Sequence, residues 1–368
     1  MNRTIICILV IVLFLLYGEK TLPQEVVGKV FLVGMNYEVA AADKEISWDS
    51  GCLEQIFPLY LYVKETAEIP SDVEDKLTYE MILAEQAKDE ESISEDLKEE
   101  AKENIQTVGQ TVVSKDSLLE KMKDYNYLLS NFYTVDSTTT IGADQLNVND
   151  LMSRDMHINN EKKGPKILIF HTHSQETFVD SVPGDTNTSI VGMGKYLAQC
   201  LNERGIETMH HDGVYDLIDG KLDRSKAYQM AEAGVKKILN QNSSIEVVID
   251  LHRDGVPENM HLVTEINGKP TGKLMLFNGL SRTKTNGDIA YLKNPYIQDN
   301  LSFSFQTQLE AESMYPGLMR RIYLKGYRYS LHMMPKSLLV EAGAQTNTVE
   351  EMKNSMELLA NILYKVLL

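Results

Sequence analysis

From residue 166 to the C-terminus, short apolar runs alternate with longer segments whose apolar positions recur every three or four residues. The short runs predict buried strands and the longer segments predict amphipathic helices. The predicted strands cover residues 166–170, 206–212, 245–251, 273–279, 320–326 and 337–343. The predicted helices cover residues 189–205, 223–242, 303–317 and 349–368, and Thr348 and Glu351 form a capping box before the last. This alternation predicts an α/β fold, a mainly parallel sheet with helices on both faces.

Ligand-type side chains stand at the carboxyl ends of three predicted strands. They are His171, His173 and Glu176 after 166–170, Asp250, His252, Arg253 and Asp254 at the end of 245–251, and Glu341 within 337–343. In open α/β sheets, ligands bind outside the carboxyl ends of the strands. A single histidine after a strand is usually structural, but the agreement of three strand ends favours a common site.

The types of these side chains favour zinc. Two imidazoles and one carboxylate leave a fourth position for water, and a zinc ion lowers the pKa of a bound water to about 7. Because Glu341 leaves a buried strand, we expect it to take the proton of this water and pass it to a leaving nitrogen. Arg253 is expected to bind a substrate carboxylate or to stabilise a developing oxyanion.

Composition narrows the partners and the kind of metal site. The chain of 368 residues has a formal net charge of −17, which argues against a protein that binds nucleic acid by neutralising phosphates. Its 3 cysteines, Cys7, Cys52 and Cys200, are far apart. They therefore predict neither a disulfide framework nor a cysteine-based zinc site.

The N-terminus predicts export from the cytoplasm. Arg3 precedes an apolar run from Ile5 to Tyr17, as in a signal peptide or an N-terminal anchor. The run is shorter than the ~20 residues that span a bilayer comfortably, which favours a cleaved signal. The sequence after Tyr17 lacks a small-x-small cleavage site, and Arg3 keeps positive charge on the cytoplasmic side, which favours a single retained membrane anchor.

The region between this segment and the strand-rich half is acidic and carries no catalytic spacing. Residues 84–106 alternate charges of both signs and indicate a solvated helix or spacer. Residues 134–149 are rich in Ser, Thr, Asp and Asn and indicate a linker with a short turn or strand. The predicted organisation is an anchor or signal in 1–20, an acidic juxtamembrane region and linker in 21–150, and a catalytic domain in 151–368.

Several motifs of the C-terminal half carry a family resemblance. IFHTHSQETF, VVIDLHRDGV, MYPGL and SLLVEAGAQTNTVEE follow one another in this order. With them the sequence from about Lys166 to the C-terminus resembles stage II sporulation protein P, a family of membrane-anchored peptidoglycan hydrolases of endospore-forming bacteria. This family is related to zinc-dependent N-acetylmuramoyl-L-alanine amidases.

The resemblance implies an activity, a cofactor and a set of site residues. The family cleaves the amide between N-acetylmuramic acid and the L-alanine of the stem peptide, and members also cut peptide cross-links. Transferred to this sequence, the ligands of Zn2+ are His173, Glu176 and His252, and the acid/base carboxylate is Glu341. Of the two histidines in HTH, we expect His173 to bind the metal and His171 to orient a neighbouring ligand.

The resemblance also implies a setting. The partner would be a lytic transglycosylase of the stage II sporulation protein D type, in the machinery that thins septal cell wall during engulfment of the forespore. The catalytic domain would lie outside the cytoplasm, held to the cell membrane by the N-terminal segment. The alternatives are a peptidase that uses the same zinc site and an inactive cell-wall-binding or scaffolding module.

Overall fold

The computed structural model describes residues 115–285 and 287–368. The predicted anchor in 1–20 and the charged segment in 84–106 lie outside these residues. No helix within the described part combines the length and the apolar character that crossing a bilayer requires.

The described residues form seven α-helices and thirteen strands. The helices are α1 (Lys115–Met122), α2 (Tyr125–Phe132), α3 (Val148–Ser153), α4 (Ile190–Glu203), α5 (Ala227–Gln241), α6 (Ile297–Met314) and α7 (Val349–Leu367). The strands are β1 (Tyr133–Val135), β2 (Ile167–Phe170), β3 (Thr208–His210), β4 (Leu217–Ile218), β5 (Lys221–Leu222), β6 (Val247–Asp254), β7 (Val263–Ile266), β8 (Lys269–Gly272), β9 (Leu274–Gly279), β10 (Arg282–Thr283), β11 (Gly287–Asp288), β12 (Ile322–Lys325) and β13 (Ser337–Ala344).

Seven strands form the central sheet in the order β1-β12-β9-β13-β6-β2-β3. All neighbouring pairs are parallel except β9 with β13, which is antiparallel. The sheet is therefore mostly parallel, as predicted, but it consists of two parallel halves that run in opposite directions. The carboxyl ends of β2, β6 and β13 meet at the same edge, since these three strands run the same way.

Helices cover both faces of the sheet, because successive residues of a buried strand point to opposite sides. In β2, Ile167 and Ile169 belong to the large core that also contains the apolar sides of α4, α6 and α7. Leu168 and Phe170 face the other way and pack with Ala231 and Val235 of α5. Because both faces of the sheet are buried under helices, the central strands are apolar on both sides instead of alternating. The fold is therefore α/β.

Several elements differ from the sequence prediction: helix α5 begins at Ala227 rather than at residue 223, and the strand pairs β4–β5, β7–β8 and β10–β11 were not predicted. Helix α6 begins at Ile297 rather than at residue 303, because its first turns bury polar side chains that obscure the helical pattern. One of them, Asn300, donates to the Leu331 carbonyl and accepts from the Ser337 backbone N–H. The short turn or strand expected in residues 134–149 is β1, which begins at Tyr133 and pairs with β12 at the edge of the central sheet.

The last helix starts as predicted. The Thr348 side chain accepts from the Glu351 backbone N–H, and the Glu351 side chain accepts from the Thr348 backbone N–H. This capping box satisfies N–H groups that have no partner within the helix. Helix α7 is thereby fixed directly after β13, whose end carries Glu341.

A β-bulge follows Glu341 on β13. Glu341 pairs with His252, but Ala344 pairs with Asp254, so β13 contains one extra residue. Gly343 adopts φ 60° within this bulge, a conformation that costs an L-residue about 1–2 kcal/mol. A Cβ at Gly343 would lie 2.8 Å from Asn347 Oδ1, and Asn347 is fixed by a hydrogen bond from the Ala344 N–H. Bulges beside active sites commonly set the direction of a side chain.

We predict that Gly343→Ala destabilises the fold more than Gly205→Ala. Gly205 also has positive φ, at 84°, but a Cβ there would meet no atom within 4 Å. The control Gly205→Ala should lower the free energy of unfolding by about 1 kcal/mol through backbone strain. Gly343→Ala should lower it by on the order of 3 kcal/mol, because steric overlap adds to the strain. Urea unfolding of both variants measures the difference. Equal costs would show that Asn347 and its neighbours make room for the methyl group.

Helix α6 carries a half-buried carboxyl group near its C-terminal end. Burial raises the pKa of Glu312 to about 7, although hydrogen bonds from the Gly317 backbone and from Gln308 act in the opposite direction. Between pH 4.5 and 7, the folded state therefore binds more protons at this group than the unfolded state does. The contribution of the protonated Glu312 side chain to the free energy of unfolding is therefore fully present below about pH 4.5. It is lost as the pH rises through about 7.

We predict that Glu312→Gln removes this pH dependence. Relative to the wild type, the variant should gain on the order of 2–3 kcal/mol between pH 5 and pH 8, because its side chain does not ionise. Urea unfolding at the two pH values measures the change. Glu258→Gln in an exposed loop is the matched control and should follow the wild type. An unchanged pH dependence in Glu312→Gln would contradict the prediction.

Candidate metal centre

The three predicted ligands lie together at the edge where β2 and β6 end. His173 and Glu176 belong to the loop after β2, and His252 lies near the end of β6. Each offers a ligand atom, and these atoms all lie within 4.8 Å of one another. All three side chains are buried, and the imidazole rings of His173 and His252 have centroids 5.0 Å apart at an angle of 84°.

The Glu176 carboxylate is held by contacts to both oxygens. Oε2 accepts the Arg253 backbone N–H at 2.8 Å, and Oε1 lies 3.7 Å from His173 Nδ1 and 3.5 Å from an Arg224 Nη. Burial by itself would raise the pKa of Glu176, but the His173 contact and the charges of His252 and Arg253 lower it to about 2. The carboxylate is therefore ionised at neutral pH, as a metal ligand must be.

Asp250 supports the site from inside the sheet. Its Oδ1 lies 2.7 Å from His252 Nε2 and accepts the Thr172 backbone N–H at 2.9 Å. Its Oδ2 accepts the hydroxyls of Thr172 and Ser330 at 2.6 and 2.8 Å. Burial alone would raise the pKa of Asp250, but His252 and the Thr172 hydrogen bonds hold it below its usual value. A carboxylate in this position fixes the orientation of a ligating imidazole.

Glu341 lies on the strand next to His252. The two residues are paired in the parallel ladder between β13 and β6, and paired residues on adjacent strands project from the same face of the sheet. Glu341 is 8% exposed. The structure thus places the predicted acid/base residue on the ligand side of the sheet, at the same level as His252.

Arg253 lies beside the candidate ligands and is hydrogen-bonded to the main chain. Its side chain follows His252 on the strand, and its guanidinium donates to the backbone oxygens of Thr177 and Asp254, both at 3.2 Å. Its hydrogen bond to the candidate ligand Glu176 comes from the backbone N–H. Binding of substrate by Arg253 stays a prediction, since these bonds engage the guanidinium with the main chain.

His171 faces a different set of partners from His173. Its Nδ1 is 2.8 Å from the Leu251 carbonyl, which precedes His252, and its Nε2 is 3.0 Å from His210 Nε2. Burial and the neighbouring His210 lower the pKa of His171 to about 3, so this imidazole is neutral. On a regular strand, residues 171 and 173 would share a face. The two imidazoles diverge because β2 ends at Phe170.

Two residues beside the candidate ligands, Asp216 and Arg224, were not predicted from the sequence. Asp216 is fully buried and accepts the Ser174 hydroxyl at 2.7 Å and the Gln175 backbone N–H at 3.0 Å. Arg224 lies eight residues later and contacts Glu176. They belong to the segment that contains the β4–β5 hairpin, and no ligand motif marks them in the sequence. Asp219-Gly220, a typical hairpin turn, is the one local signal for this segment.

The residues present fit a divalent metal by their chemistry. Two imidazoles and an ionised carboxylate are a common ligand set of catalytic zinc, and the set leaves a position open. The contact between Asp250 and His252 adds the outer carboxylate that usually accompanies a ligating histidine. The ligand atoms are close enough for small side-chain adjustments to bring them onto one ion.

Comparison with known proteins places the chain in a family. A family model described as Stage II sporulation protein P (SpoIIP) matches residues 51–364. The Stage II sporulation protein P of Bacillus subtilis (strain 168) is 23% identical over 211 residues, which are 53% of this chain and 49% of that relative. The match thus spans about half the length of the curated relative.

Comparison with solved structures finds similarities at low TM-scores. N-acetylmuramoyl-L-alanine amidase AmiC2 of Nostoc punctiforme has a TM-score of 0.32 at 13% identity, with 56% of this chain and 96% of that chain covered. The N-acetylmuramyl-L-alanine amidase Ami1 from Mycobacterium smegmatis has a TM-score of 0.33 at 12% identity, with 58% of this chain and 96% of that chain covered. The N-acetylmuramoyl-L-alanine amidase from Clostridium difficile 630 has a TM-score of 0.33 at 15% identity, with 56% of this chain and 95% of that chain covered. Because these TM-scores are under 0.5, no function follows from them.

We predict that His173→Ala and His252→Ala remove zinc from the purified full-length protein. Each loses one imidazole of the ligand set, so zinc content after dialysis should fall below about one tenth of the wild-type value. Elemental analysis by mass spectrometry measures it. His157→Ala is the control, because this exposed imidazole contacts Asp155 at the surface. Full zinc content in either ligand variant would refute the assignment.

Proposed function

Because this chain belongs to the stage II sporulation protein P family, we propose that it is a zinc-dependent peptidoglycan hydrolase that acts in endospore formation. The observation that carries the proposal is the buried group of His173, Glu176 and His252, with Glu341 paired to His252 on the next strand. A binding or scaffolding protein has no need to bury two imidazoles and two carboxylates at one sheet edge, where burial of charge is costly. A hydrolase needs this arrangement.

The proposed reaction is hydrolysis of the amide between N-acetylmuramic acid and the L-alanine of the stem peptide. A bound zinc ion, held by His173, Glu176 and His252, would supply an acidified water and polarise the amide carbonyl. Glu341 takes the proton from the attacking water and gives it to the nitrogen of L-alanine as the C–N bond breaks. The products are a free lactyl carboxylate and a stem peptide with a free amino terminus.

The rest of the site prepares these groups before substrate arrives. Asp250 keeps the His252 ring in one orientation and makes its other nitrogen a more basic metal ligand. The Arg253 backbone N–H fixes one oxygen of Glu176, so the other oxygen is directed at the imidazoles. The bulge at Gly343 holds the chain immediately after Glu341. Preorganised groups of this kind lower the barrier, since little reorganisation is needed during the reaction.

The cellular setting is also a proposal, supported by family membership and by the N-terminal sequence. The catalytic domain would act outside the cytoplasm on septal peptidoglycan during engulfment, with the apolar segment from Ile5 to Tyr17 as its membrane anchor. A lytic transglycosylase of the stage II sporulation protein D type would cut the glycan strands while this chain removes the peptides. Fractionation of sporulating cells with an antibody against the C-terminal domain tests the anchor, and a fully soluble protein of full length would contradict it.

Digestion of purified peptidoglycan by the zinc-loaded full-length protein tests the activity directly. Mass analysis of the products should find intact stem peptides that begin with L-alanine. Release of monomers from cross-linked dimers would instead indicate an endopeptidase. Binding to peptidoglycan without any product would favour the inactive module and contradict the proposed hydrolase.

We predict that Glu341→Gln retains zinc and loses turnover. The amide has nearly the shape of the carboxylate but does not accept a proton, so kcat should fall by about 10²–10⁴-fold. Product formation and zinc content, measured on the same preparation, separate catalysis from metal binding. Glu258→Gln, in an exposed loop, is the matched control and should keep full activity. Undiminished turnover in Glu341→Gln would remove this residue from the mechanism.

A further inference from the structure

The chain between β12 and β13 holds a tyrosine in a left-handed backbone conformation. Tyr329 has φ 51° and is 2% exposed. The other described residues that combine a side chain with positive φ are Asp219, Asn267 and Ser281, which are short and polar. A buried aromatic residue with positive φ is strained, and such strain persists where the surrounding structure fixes the backbone. Residues 328–332 are called the Tyr329 turn below.

A glycine at the end of β9 leaves room for the Tyr329 turn. A Cβ at Gly279 would overlap with the Tyr327 carbonyl oxygen and would lie 2.8 Å from Cδ2 of Tyr329. Backbone thus approaches backbone here as closely as only glycine allows. The strand beneath the turn is therefore adapted to the position of the tyrosine.

The ring of Tyr329 supports one candidate ligand through a second tyrosine. It packs against Tyr228 of α5, with ring centroids 5.6 Å apart at an angle of 70°. The Tyr228 ring in turn meets the His173 imidazole, with centroids 5.7 Å apart at 76°. Phe277 of β9 packs on Tyr329 at 4.7 Å. Such edge-to-face contacts are favourable, and together they limit the rotation of the His173 ring.

The next residue of the turn supports the other imidazole. The Ser330 hydroxyl donates to Asp250 Oδ2 at 2.8 Å, and Asp250 Oδ1 lies 2.7 Å from His252 Nε2. On an extended chain, consecutive side chains point to opposite sides. Because Tyr329 is left-handed, its own ring and the Ser330 hydroxyl both reach groups that touch the candidate ligands.

Helix α5 fixes the Tyr329 turn at both of its ends. The Glu232 carboxylate lies 3.0 Å from an Arg328 Nη and 3.1 Å from His332 Nε2. Glu232 and Tyr228 are four residues apart, which places them on the same face of the helix. One face of α5 therefore carries both the anchor of the turn and the ring that lies between Tyr329 and the metal-binding group.

We propose that Tyr329 is a positioning residue for the metal centre, which orients both candidate imidazoles through one strained turn. Its ring acts on His173 through Tyr228. Its left-handed backbone directs the Ser330 hydroxyl to the carboxylate beside His252. This inference rests on the proposed metal site. Partners of this kind outside the ligand set commonly change metal affinity by about 10–100-fold.

The test measures the dissociation constant of zinc for the purified full-length protein, by competition with a fluorescent chelator. Tyr329→Asn removes the ring but suits a left-handed backbone, so it should weaken zinc binding by about fivefold or more. Tyr329→Phe restores the ring and should recover most of the affinity. Tyr133→Asn is the control, because this tyrosine is similarly buried in β1 at the far edge of the sheet. It should lower stability without changing zinc affinity.

A second comparison tests the backbone separately from the ring. Glycine takes positive φ without strain, whereas β-branched valine resists it. Ser330→Ala should therefore weaken zinc binding by about fivefold both in the wild type and in Tyr329→Gly. In Tyr329→Val it should have less than about a twofold effect, because Ser330 is already displaced from Asp250. Equal effects of Ser330→Ala in all three backgrounds would overturn the role of the left-handed backbone.

Glu232→Gln tests the turn from its outer side, and it decides the question if the Tyr329 variants do not fold. The neutral amide weakens the contacts with Arg328 and His332, so zinc binding should weaken by about threefold or more. Glu258→Gln, in an exposed loop, is the matched control. Equal zinc affinity in these two variants would overturn the inference.

The remaining outcomes separate this inference from the proposed function. Absence of zinc binding by the wild type would overturn both. Zinc affinity at the wild-type value in Tyr329→Asn would overturn the inference alone. An equal loss of affinity in Tyr133→Asn would also overturn it, because that result reports general destabilisation. The expected pattern of affinities without any cleavage of peptidoglycan would support this inference and contradict the proposed hydrolase.

Discussion

The site depends on one buried carboxylate, that of Asp250. It accepts two hydrogen bonds from Thr172, one from Ser330, and lies 2.7 Å from the His252 imidazole. These contacts join the end of β2, the chain between β12 and β13, and a ligand on β6. An ionised group without exposure to solvent is costly unless each oxygen has partners. The same bonds that offset this cost therefore fix the relative positions of the elements that carry the candidate metal ligands.

The sequence was informative where a local pattern decides the structure. The apolar runs at 166–170, 245–251 and 337–343 became β2, β6 and β13, and the ligand-type residues at their ends lie at one edge because the strands are parallel. The motif HTHxxE includes both His173 and Glu176. The fold class, the closing helix with its capping box and the grouping of ligands followed from such patterns. Each depends on a few consecutive residues.

Other features depend on partners far apart in the chain. Strand β9 is as apolar as its neighbours, and nothing in its residues shows that it runs antiparallel to β13. Arg224 was missed because its contact with Glu176 spans 48 positions. A short turn or strand was expected in the linker at 134–149, but its three residues do not show that β1 pairs with β12 at the edge of the central sheet. The direction of β9, the position of Arg224 and the pairing of β1 all depend on contacts between residues that are distant in the sequence.

Two hairpins stand beside the edge that carries the site. Hairpin β4–β5 turns at Asp219-Gly220 and precedes Arg224, and β7–β8 turns at Asn267-Gly268. The second hairpin leads into the start of β9, which lies level with the end of β13 because the two strands are antiparallel. Strand pairs tolerate insertions of two residues without exchanging their faces. Lengthening either hairpin by two residues would therefore extend the surface beside this edge of the sheet, while the imidazoles and carboxylates on the central strands keep their places.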